Sequence, residues 1–471
     1  MTDIHHTLVC WTKKANIVKM KPVNRDILKL ALPSILANIT VPLVGMVDIA
    51  IAGHLDTNAA TMIGGIAIGS MLFDLLYWNF GFLRIGTGGL AAQAYGRGDR
   101  KECAKILTRA LGLSLAIALC LILIQWIFVK AAFLVVDCTP EVQQLATKYF
   151  FIRIWAAPAT LSLMALKGWF IGMQDSVSAM VCDVTVNGMN ILMSFLLALG
   201  LTIGSASVIP SLGFAGIAAG TVIAQWTGLL TALAMLVLKY RKDTISLLSR
   251  ADINTIFKGN ETRRFFVMNT DLFVRSLCFI TIYIGFTIIS AKYGDILLAV
   301  SSIIMKLLLI FSYFTDGFAY AGEAMTGKYI GAQDREKLND TVKWTFIWSM
   351  GLAFGFMLIY QFAGVPMVKM MTSDVAVIDA AKDYLPWLLL MPIVGCAAFT
   401  WDGIYIGATA SRQMRDSMLW AVFAFAVVWS IGKYGFDMGL HALMAAYFAH
   451  LLARTIYLSV DWITKRKSKL F

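Results

Sequence analysis

The sequence predicts an all-α integral membrane protein with twelve transmembrane helices, arranged as two pseudo-symmetric six-helix bundles around a central cleft. Three observations support this prediction. The chain of 471 residues is 59% hydrophobic and 14% charged, with a mean hydropathy of +0.73, whereas soluble domains are usually about 25% charged. Twelve apolar segments are each long enough to cross about 30 Å of hydrocarbon. The second half of the chain also repeats features of the first.

The repeat has a constant offset of 235 residues and lies within and beside the apolar segments. Gly96, Asp99 and Arg100 recur as Gly331, Asp334 and Arg335, Tyr149 recurs as Tyr384, and Gly168 and Gly172 recur as Gly403 and Gly407. An even number of crossings returns each six-helix lobe to its starting side. The two lobes should therefore be related by an axis along the membrane normal, with a substrate cleft between them.

The predicted helices follow one another along the chain. They lie at about 27–51, 62–86, 107–129, 148–172, 177–201, 212–238, 267–290, 297–322, 341–363, 382–407, 417–437 and 440–462. They are long and lack the alternation of an outer-membrane barrel strand, so they are read as helices. This division predicts an N-terminal extension (1–26), an N-lobe (27–238), a linker (239–266), a C-lobe (267–462) and a basic tail (463–471).

Lysine and arginine in the connections predict the orientation. Most of them fall in the N-terminal stretch, the loops after helices 2, 8 and 10, the linker and the tail, and few fall on the opposite side. We therefore expect both termini to be cytoplasmic and the protein to lie in a bacterial inner membrane. The net charge of +12 is scattered through these loops without a binding stripe, so no nucleic-acid partner is expected.

Cysteine and histidine give no sign of a metal or disulfide site. The seven cysteines are odd in number and show no CxxC spacing, and the five histidines show no ligand spacing. We expect no metal and no cofactor. No cleavable signal peptide is visible, since the first 24 residues are polar and basic.

Ionisable groups inside a bilayer cost several kcal/mol each and are functional candidates by default. Asp48 is the strongest, because it lies near the outer end of helix 1, where Pro33 and Pro42 are placed to kink the helix and free backbone carbonyls. It could bind and release a proton or help to coordinate Na⁺. The alternative is a carboxylate that is simply wetted at the extracellular end.

Polar side chains on helix 5 could complete a pocket with Asp48. Asn187, Asn190 and Ser194 lie at a similar predicted depth, and the last two share one helix face. The alternative is a hydrogen-bonding face that holds two helices together.

The repeat also suggests gating pairs. Lys167 and Asp402 occupy equivalent positions, so opposite charges at matched sites could close a cytoplasmic gate, unless each independently reaches the headgroup zone. Asp74 on helix 2 and Lys306 on helix 8 could form a second bridge across the axis.

The other intramembrane charges receive less specific expectations. Asp271 and Arg275 are spaced i, i+4 and are expected to neutralise each other. No role is predicted for the remaining ionisable residues of the apolar segments: Arg84, Arg153, Asp183, Asp316, Glu323, Arg454 and Asp461.

Taken together, three motifs resemble those of the MATE family of multidrug and toxin extrusion transporters, in its DinF-like branch. They are Leu30-Ala31-Leu32-Pro33-Ser34-Ile35, with Asp48 downstream, Ala92-Gln93-Ala94-Tyr95-Gly96-Arg97-Gly98-Asp99, and Asp402-Gly403-Ile404-Tyr405-Ile406-Gly407-Ala408. The resemblance covers about 25–462. It implies a twelve-helix antiporter that exports organic cations in exchange for H⁺ or Na⁺, with Asp48 as the coupling residue and Asn190 matching a polar residue of the N-lobe site. Some relatives have a second acid where this chain has Ser194, which favours H⁺ over Na⁺.

The sequence therefore predicts a secondary antiporter, not an enzyme, that works on small cationic substrates among membrane lipids and functions as a monomer. Two rival functions stay open. A flippase for lipid-linked precursors would share the two-lobe plan but should hold a strongly basic cavity. A membrane-embedded enzyme lacks support, since no metal spacing or catalytic arrangement is visible.

Overall fold

A computed structural model describes residues 22–53, 55, 59–134, 136, 138–203, 206–241 and 259–467. Twelve helices in this part of the chain are long and apolar enough to cross a membrane, which confirms the all-α prediction. Most of the predicted N-terminal extension, of the linker and of the end of the basic tail lies outside the described residues.

The twelve crossings are numbered α1 to α12 and match predicted helices 1 to 12. Their bounds in the N-lobe are Pro22–Gly53 (α1), Ala59–Trp78 with Phe82–Gly96 (α2), Arg100–Ala132 (α3), Pro140–Arg153 with Ala157–Gly172 (α4), Ser176–Leu199 (α5) and Phe214–Tyr240 (α6). Those in the C-lobe are Asn260–Ala291 (α7), Asp295–Gly331 (α8), Arg335–Met371 (α9), Val375–Gly407 (α10), Ser411–Ser430 (α11) and Leu440–Lys467 (α12). Two short antiparallel strands, β1 (Leu201–Ile203) and β2 (Ala206–Ile209), connect α5 to α6.

Most helices extend beyond their predicted ends, because an apolar window detects only the part that crosses hydrocarbon. Residues 260–266, predicted as linker, are the first turns of α7. Conversely, α5 ends at Leu199, since Gly200 adopts a positive φ of 77°, which favours glycine and ends a helix.

The repeated motif Gly96-Asp99 and its counterpart Gly331-Asp334 mark two equivalent helix starts. The Asp99 carboxylate accepts a hydrogen bond from the Glu102 backbone N–H at 2.9 Å and caps α3. Asp334 caps α9 in the same way. Capping satisfies a backbone donor that the first turn leaves without a partner, so the repeated acids are explained by local structure.

Paired close contacts show that the halves are related by a two-fold axis. A Cβ on Gly96 would lie 2.0 Å from the Lys328 carbonyl oxygen, and one on Gly331 would lie 2.2 Å from the carbonyl oxygen of Gln93, the repeat counterpart of Lys328. In each lobe the equivalent glycine therefore packs against the equivalent backbone position of the other lobe. Only glycine permits this approach of two backbones.

The lobes meet at the membrane face where α1 begins and α12 ends, which we call the basic face. There Gln93 donates to the Gly407 carbonyl at 3.1 Å and accepts from Arg264 at 3.0 Å. Halfway along α1, Asn38 donates to the Tyr313 carbonyl of α8 at 3.1 Å. One hydrophobic cluster includes residues of both lobes, whereas the half of the C-lobe away from the basic face has a cluster of its own. The described structure is therefore closed at the basic face.

Candidate functional site

Asp48 lies inside the N-lobe, near the end of α1 that is away from the basic face. Its side chain is 6% exposed, and Oδ1 has no hydrogen-bond partner. The Ser194 hydroxyl of α5 interacts with the carboxyl, and the guanidinium of Arg153 lies within electrostatic range. A buried carboxylate with an unsatisfied oxygen is costly when ionised, so this group is poised to take up a cation or a proton.

A chain of hydrogen bonds extends from this carboxyl into the lobe. Ser194 Oγ lies 3.2 Å from Asn190 Oδ1 and 3.4 Å from the Ile217 carbonyl. Asn190 Nδ2 donates to Thr221 Oγ1 at 3.1 Å. The structure thus brings Asn190 and Ser194 together with Asp48, as expected from their spacing.

Asn187 does not join this cluster. Its Nδ2 donates to Thr40 Oγ1 at 2.5 Å, two helical turns along α1 from Asp48. This bond joins α5 to α1, in agreement with the alternative interpretation of an interhelical contact.

Arg153 is a site residue to which sequence reasoning gave no role. It lies at the end of the first segment of α4, donates to Tyr149 Oη at 3.1 Å and stands 4.9 Å over the Phe73 ring. Asp48 and Asp74 both act on it electrostatically. The rule that selected Asp48, an ionisable group within an apolar segment, could have selected Arg153 as well.

Pro33 and Pro42 both lie inside α1, which continues through them. A proline removes the N–H that would bond the carbonyl four residues earlier. For Pro33 that carbonyl belongs to Lys29, and it accepts a hydrogen bond from Ser176 Oγ at 3.3 Å. The proline therefore provides a backbone acceptor that ties α1 to the start of α5.

The predicted pairing of Lys167 with Asp402 is wrong in this structure. Lys167 Nζ pairs with Asp183 Oδ1 of its own lobe at 2.6 Å, and Asp402 pairs with Arg275 at 2.6 Å and with Arg454. The lobes are closed at the basic face, where such a gate would form, yet each charge is neutralised within its own lobe. Positions related by a two-fold axis meet only when they lie close to that axis.

The local pairing of Asp271 with Arg275 is also wrong. Asp271 instead binds Arg415 at 2.6 Å and Ser411 Oγ at 2.8 Å. Both partners lie on α11, whose first turn packs beside α7. Arg275 points to Asp402, so the i, i+4 spacing on α7 is not used.

Asp74 and Lys306 face each other across the cleft without touching. Both side chains are exposed, and Lys306 acts on Asp74 electrostatically, but they form no ion-pair contact in the described structure. The phenol groups of Tyr283 and Tyr313, also from the C-lobe, interact electrostatically with the Asp74 carboxylate. A bridge that closes the outer half of the cleft stays a prediction.

Among the described residues, one ion pair joins the lobes near the axis. Arg84 Nη1 of α2 lies 3.2 Å from Glu323 Oε2 of α8, and its guanidinium carbon stands 4.2 Å over the Tyr320 ring. A cavity of about 90 Å³ adjoins Arg84 and Tyr320 and also contacts Lys167 and Asp183. Sequence reasoning gave no role to this pair, because Arg84 and Glu323 are not repeat counterparts. The described residues contain no cluster of three His, Cys, Asp or Glu side chains that could hold a metal.

Comparison with known proteins agrees with this architecture. The MatE family model matches residues 33–196 and 272–434, one segment in each lobe. The chain is 34% identical to DNA damage-inducible protein F of Escherichia coli, covering 92% of this chain and 90% of that protein. It is 24% identical to the probable multidrug resistance protein NorM of Photorhabdus laumondii, covering 83% of each.

A solved structure has the same fold. It is described as an outward-facing conformation of a multidrug resistance MATE family transporter, and it superposes with a TM-score of 0.81 over 95% of this chain and 96% of that one at 15% identity. Members of this family are transporters and not enzymes. The two matched segments, the DinF relative and the shared twelve-helix fold together establish that this chain is a membrane-spanning transporter of the MatE family.

Proposed function

We propose that this protein is a secondary antiporter of a bacterial inner membrane, with both termini cytoplasmic, that exports amphipathic organic cations in exchange for protons. Asp48 is the coupling carboxylate in this proposal, and a single copy of the chain is sufficient. The relatives described as multidrug resistance proteins support the class of substrate. The observation that carries the coupling role is the buried Asp48 carboxyl with its unpartnered Oδ1.

The surroundings of Asp48 favour a proton over Na⁺ as the coupling ion. A sodium site needs several oxygen ligands and excess negative charge. Here Ser194 occupies the position of a possible second acid, and the permanently charged Arg153 lies within range. A proton needs only one carboxyl oxygen, and its uptake removes the cost of a buried charge.

The Ser194 hydroxyl can respond to the protonation state of Asp48. It has one proton to donate, and its acceptors are the Asp48 carboxylate, Asn190 Oδ1 and the Ile217 carbonyl. Ionised Asp48 attracts this proton. When Asp48 is neutral, Ser194 turns to Asn190, and the contact between α5 and α1 changes.

This change would be linked to substrate release. Substrate binds between the lobes while the site faces inward, and the lobes then rock to expose it outside. Protonation of Asp48 rearranges α1 around Pro33 and Pro42 and reduces the pocket, so the cation leaves. A ligand can drive such a cycle only through different affinities for the two states.

Efflux from proteoliposomes tests the proposal. Ethidium efflux should follow an imposed pH gradient and not an imposed Na⁺ gradient. Asp48→Asn should abolish the pH-driven efflux, whereas Asp379→Asn should not, because Asp379 is an exposed partner of Lys382. Efflux driven by Na⁺ alone, or full activity of Asp48→Asn, would refute proton coupling through Asp48.

A flippase of lipid-linked precursors is the alternative function. It would need a net basic cavity for pyrophosphate. In this structure the cavity cations Arg84 and Lys167 are each paired with an acid, Glu323 and Asp183 respectively. This balance favours the export of cations, and translocation of a fluorescent lipid pyrophosphate by the reconstituted protein would reverse the preference.

A further inference from the structure

The ion pair between Arg84 and Glu323 joins α2 of the N-lobe to α8 of the C-lobe. Glu323 is fully buried, and the Arg84 side chain is 17% exposed. The repeat counterpart of Glu323 is Gly88 of α2, and a Cβ on Gly88 would lie 1.9 Å from Glu323 Oε1. Gly88 of the N-lobe therefore leaves space for the Glu323 carboxylate of the C-lobe. A change in the charge of this carboxylate affects the contact between the two lobes.

Glu323 is incompletely compensated when it is ionised. Oε2 receives one contact from Arg84, while Oε1 is buried without a hydrogen-bond partner. The Gly168 carbonyl oxygen borders the same space, 3.2 Å from the position of a Cβ on Gly88. An unsatisfied charged oxygen costs several kcal/mol in an apolar interior. Protonation of Glu323 removes this cost.

The other charged groups around Glu323 are largely neutralised elsewhere. On α10, Asp402 is held by Arg275 of α7 and Arg454 of α12. On α4, Lys167 is held by Asp183 of α5. The charges of these groups are compensated by their own partners. Arg84 of α2 is the cation that contacts Glu323.

Asp316 is the competing anion for Arg84. It lies on α8 seven residues from Glu323, about 10 Å along the helix, on the side away from the basic face. It is half-buried, has no hydrogen bond or ion pair in the described structure, and acts electrostatically on Arg84. Tyr320, between the two acids, holds the guanidinium over its ring. Arg84 can therefore turn from Glu323 towards Asp316 without leaving this helix face.

We propose that Glu323 is a second proton-binding site, and that protonation there releases Arg84 and allows the lobes to separate at the basic face. The proposal rests on the proposed function, since a proton must enter from the outside. In the closed state the proton arrives through the open cleft past Asp316. Once the basic face opens, Glu323 releases it to the cytoplasm and re-forms the pair after substrate has bound.

Distance measurements between the lobes test this proposal. Lys101 and Glu336 are exposed repeat counterparts at the starts of α3 and α9, so nitroxide labels at these two positions report on separation at the basic face. Full-length protein in nanodiscs, with its native cysteines replaced, would be examined by double electron–electron resonance from pH 8 to pH 5. In the labelled parent protein, which keeps Arg84 and Glu323, the distance distribution should shift to longer values as the pH falls. The ratio of open to closed populations should rise by about 5- to 150-fold.

Three variants separate the possible outcomes. Glu323→Gln keeps the shape but not the charge, and should favour the long distance at every pH. Arg84→Gln removes the cation of the pair, and should also favour the long distance, with a smaller change between pH 8 and pH 5 than the parent shows. Glu141→Gln, on an exposed residue at the start of α4, is the matched control and should behave as the parent.

Asp48→Asn distinguishes this proposal from the proposed function. It should lose pH-driven efflux yet keep the pH-dependent separation. A Glu323→Gln variant that keeps the parent pH dependence would overturn the second site, and so would loss of that dependence in Asp48→Asn alone. Absence of proton-driven efflux from the parent, with the pH-dependent separation intact, would instead refute the proposed function.

Discussion

The glycine pair at the seam between the lobes allows the closed state to be perturbed selectively. In Gly96→Ala the new methyl carbon would lie 2.0 Å from the Lys328 carbonyl oxygen, and in Gly331→Ala it would lie 2.2 Å from that of Gln93. Ordinary contact needs more than 3 Å, so α2 and α8 must move apart by about 1 Å or more. Such overpacking costs about 1–3 kcal/mol.

This cost falls only on the state in which the basic face is closed, because the two backbones separate when it opens. An energy of 1–3 kcal/mol shifts the equilibrium by about 5- to 150-fold towards the open state. The same spin-label distance across the basic face measures this shift at constant pH. If Gly96→Ala gave the same distance distribution as the parent, the inference that α2 and α8 close the basic face would be refuted.

Two further glycine substitutions serve as controls. In Gly216→Ala the new methyl carbon would lie 2.4 Å from the Leu197 carbonyl oxygen, a contact between α6 and α5 inside the N-lobe. This substitution should lower the melting temperature without changing the ratio of open to closed states. A methyl group on Gly351 would have no heavy atom of a neighbouring residue within 4 Å, so Gly351→Ala should leave both stability and distance close to those of the parent.

Three other predictions concern the charged groups. Asp402→Asn removes the carboxylate that the buried Arg454 and the partly buried Arg275 share and should cost about 3–5 kcal/mol, seen as a lower melting temperature. Reversing Asp74 or Lys306 alone should slow ethidium efflux, and the double reversal should restore much of it if the two close the outer cleft. Burial opposes ionisation of Asp175, but hydrogen bonds at the start of α5 and the Lys239 ammonium outweigh it and hold the pKa of Asp175 below its usual range. This stabilisation is present above about pH 4 and is lost as the pH falls through the lowered pKa, so the difference in melting temperature between the parent and Asp175→Asn should vanish at low pH.

The fold follows from the sequence because two strong signals agree. Apolar segments of membrane length fix the number of helices, and the 235-residue register fixes their arrangement. The glycines at 168 and 403 show how far this extends: each packs a helix against its neighbour at the same place in its lobe, with a Cβ position 2.1 Å from the carbonyl oxygens of Arg84 and Ala319 respectively.

The site was predictable only where two side chains lie on one face of a helix and that face packs against another helix of the same lobe. Asn190 and Ser194 met Asp48 on this basis. The ion pairs were not predictable, because symmetry gives equivalence and not contact, and because the partner of a charge depends on helix rotation. Arg84 faces Glu323 although its repeat counterpart is Ala319, and no sequence spacing encodes that pairing.

Proton movement driven by substrate tests the central claim most directly. Proteoliposomes that contain a pH-sensitive dye would receive ethidium in the absence of any imposed gradient. The account predicts counter-directed proton flux with the parent and with Asp379→Asn, and none with Asp48→Asn, although that variant still binds ethidium. Ethidium-dependent proton flux through Asp48→Asn at the parent rate would contradict the account.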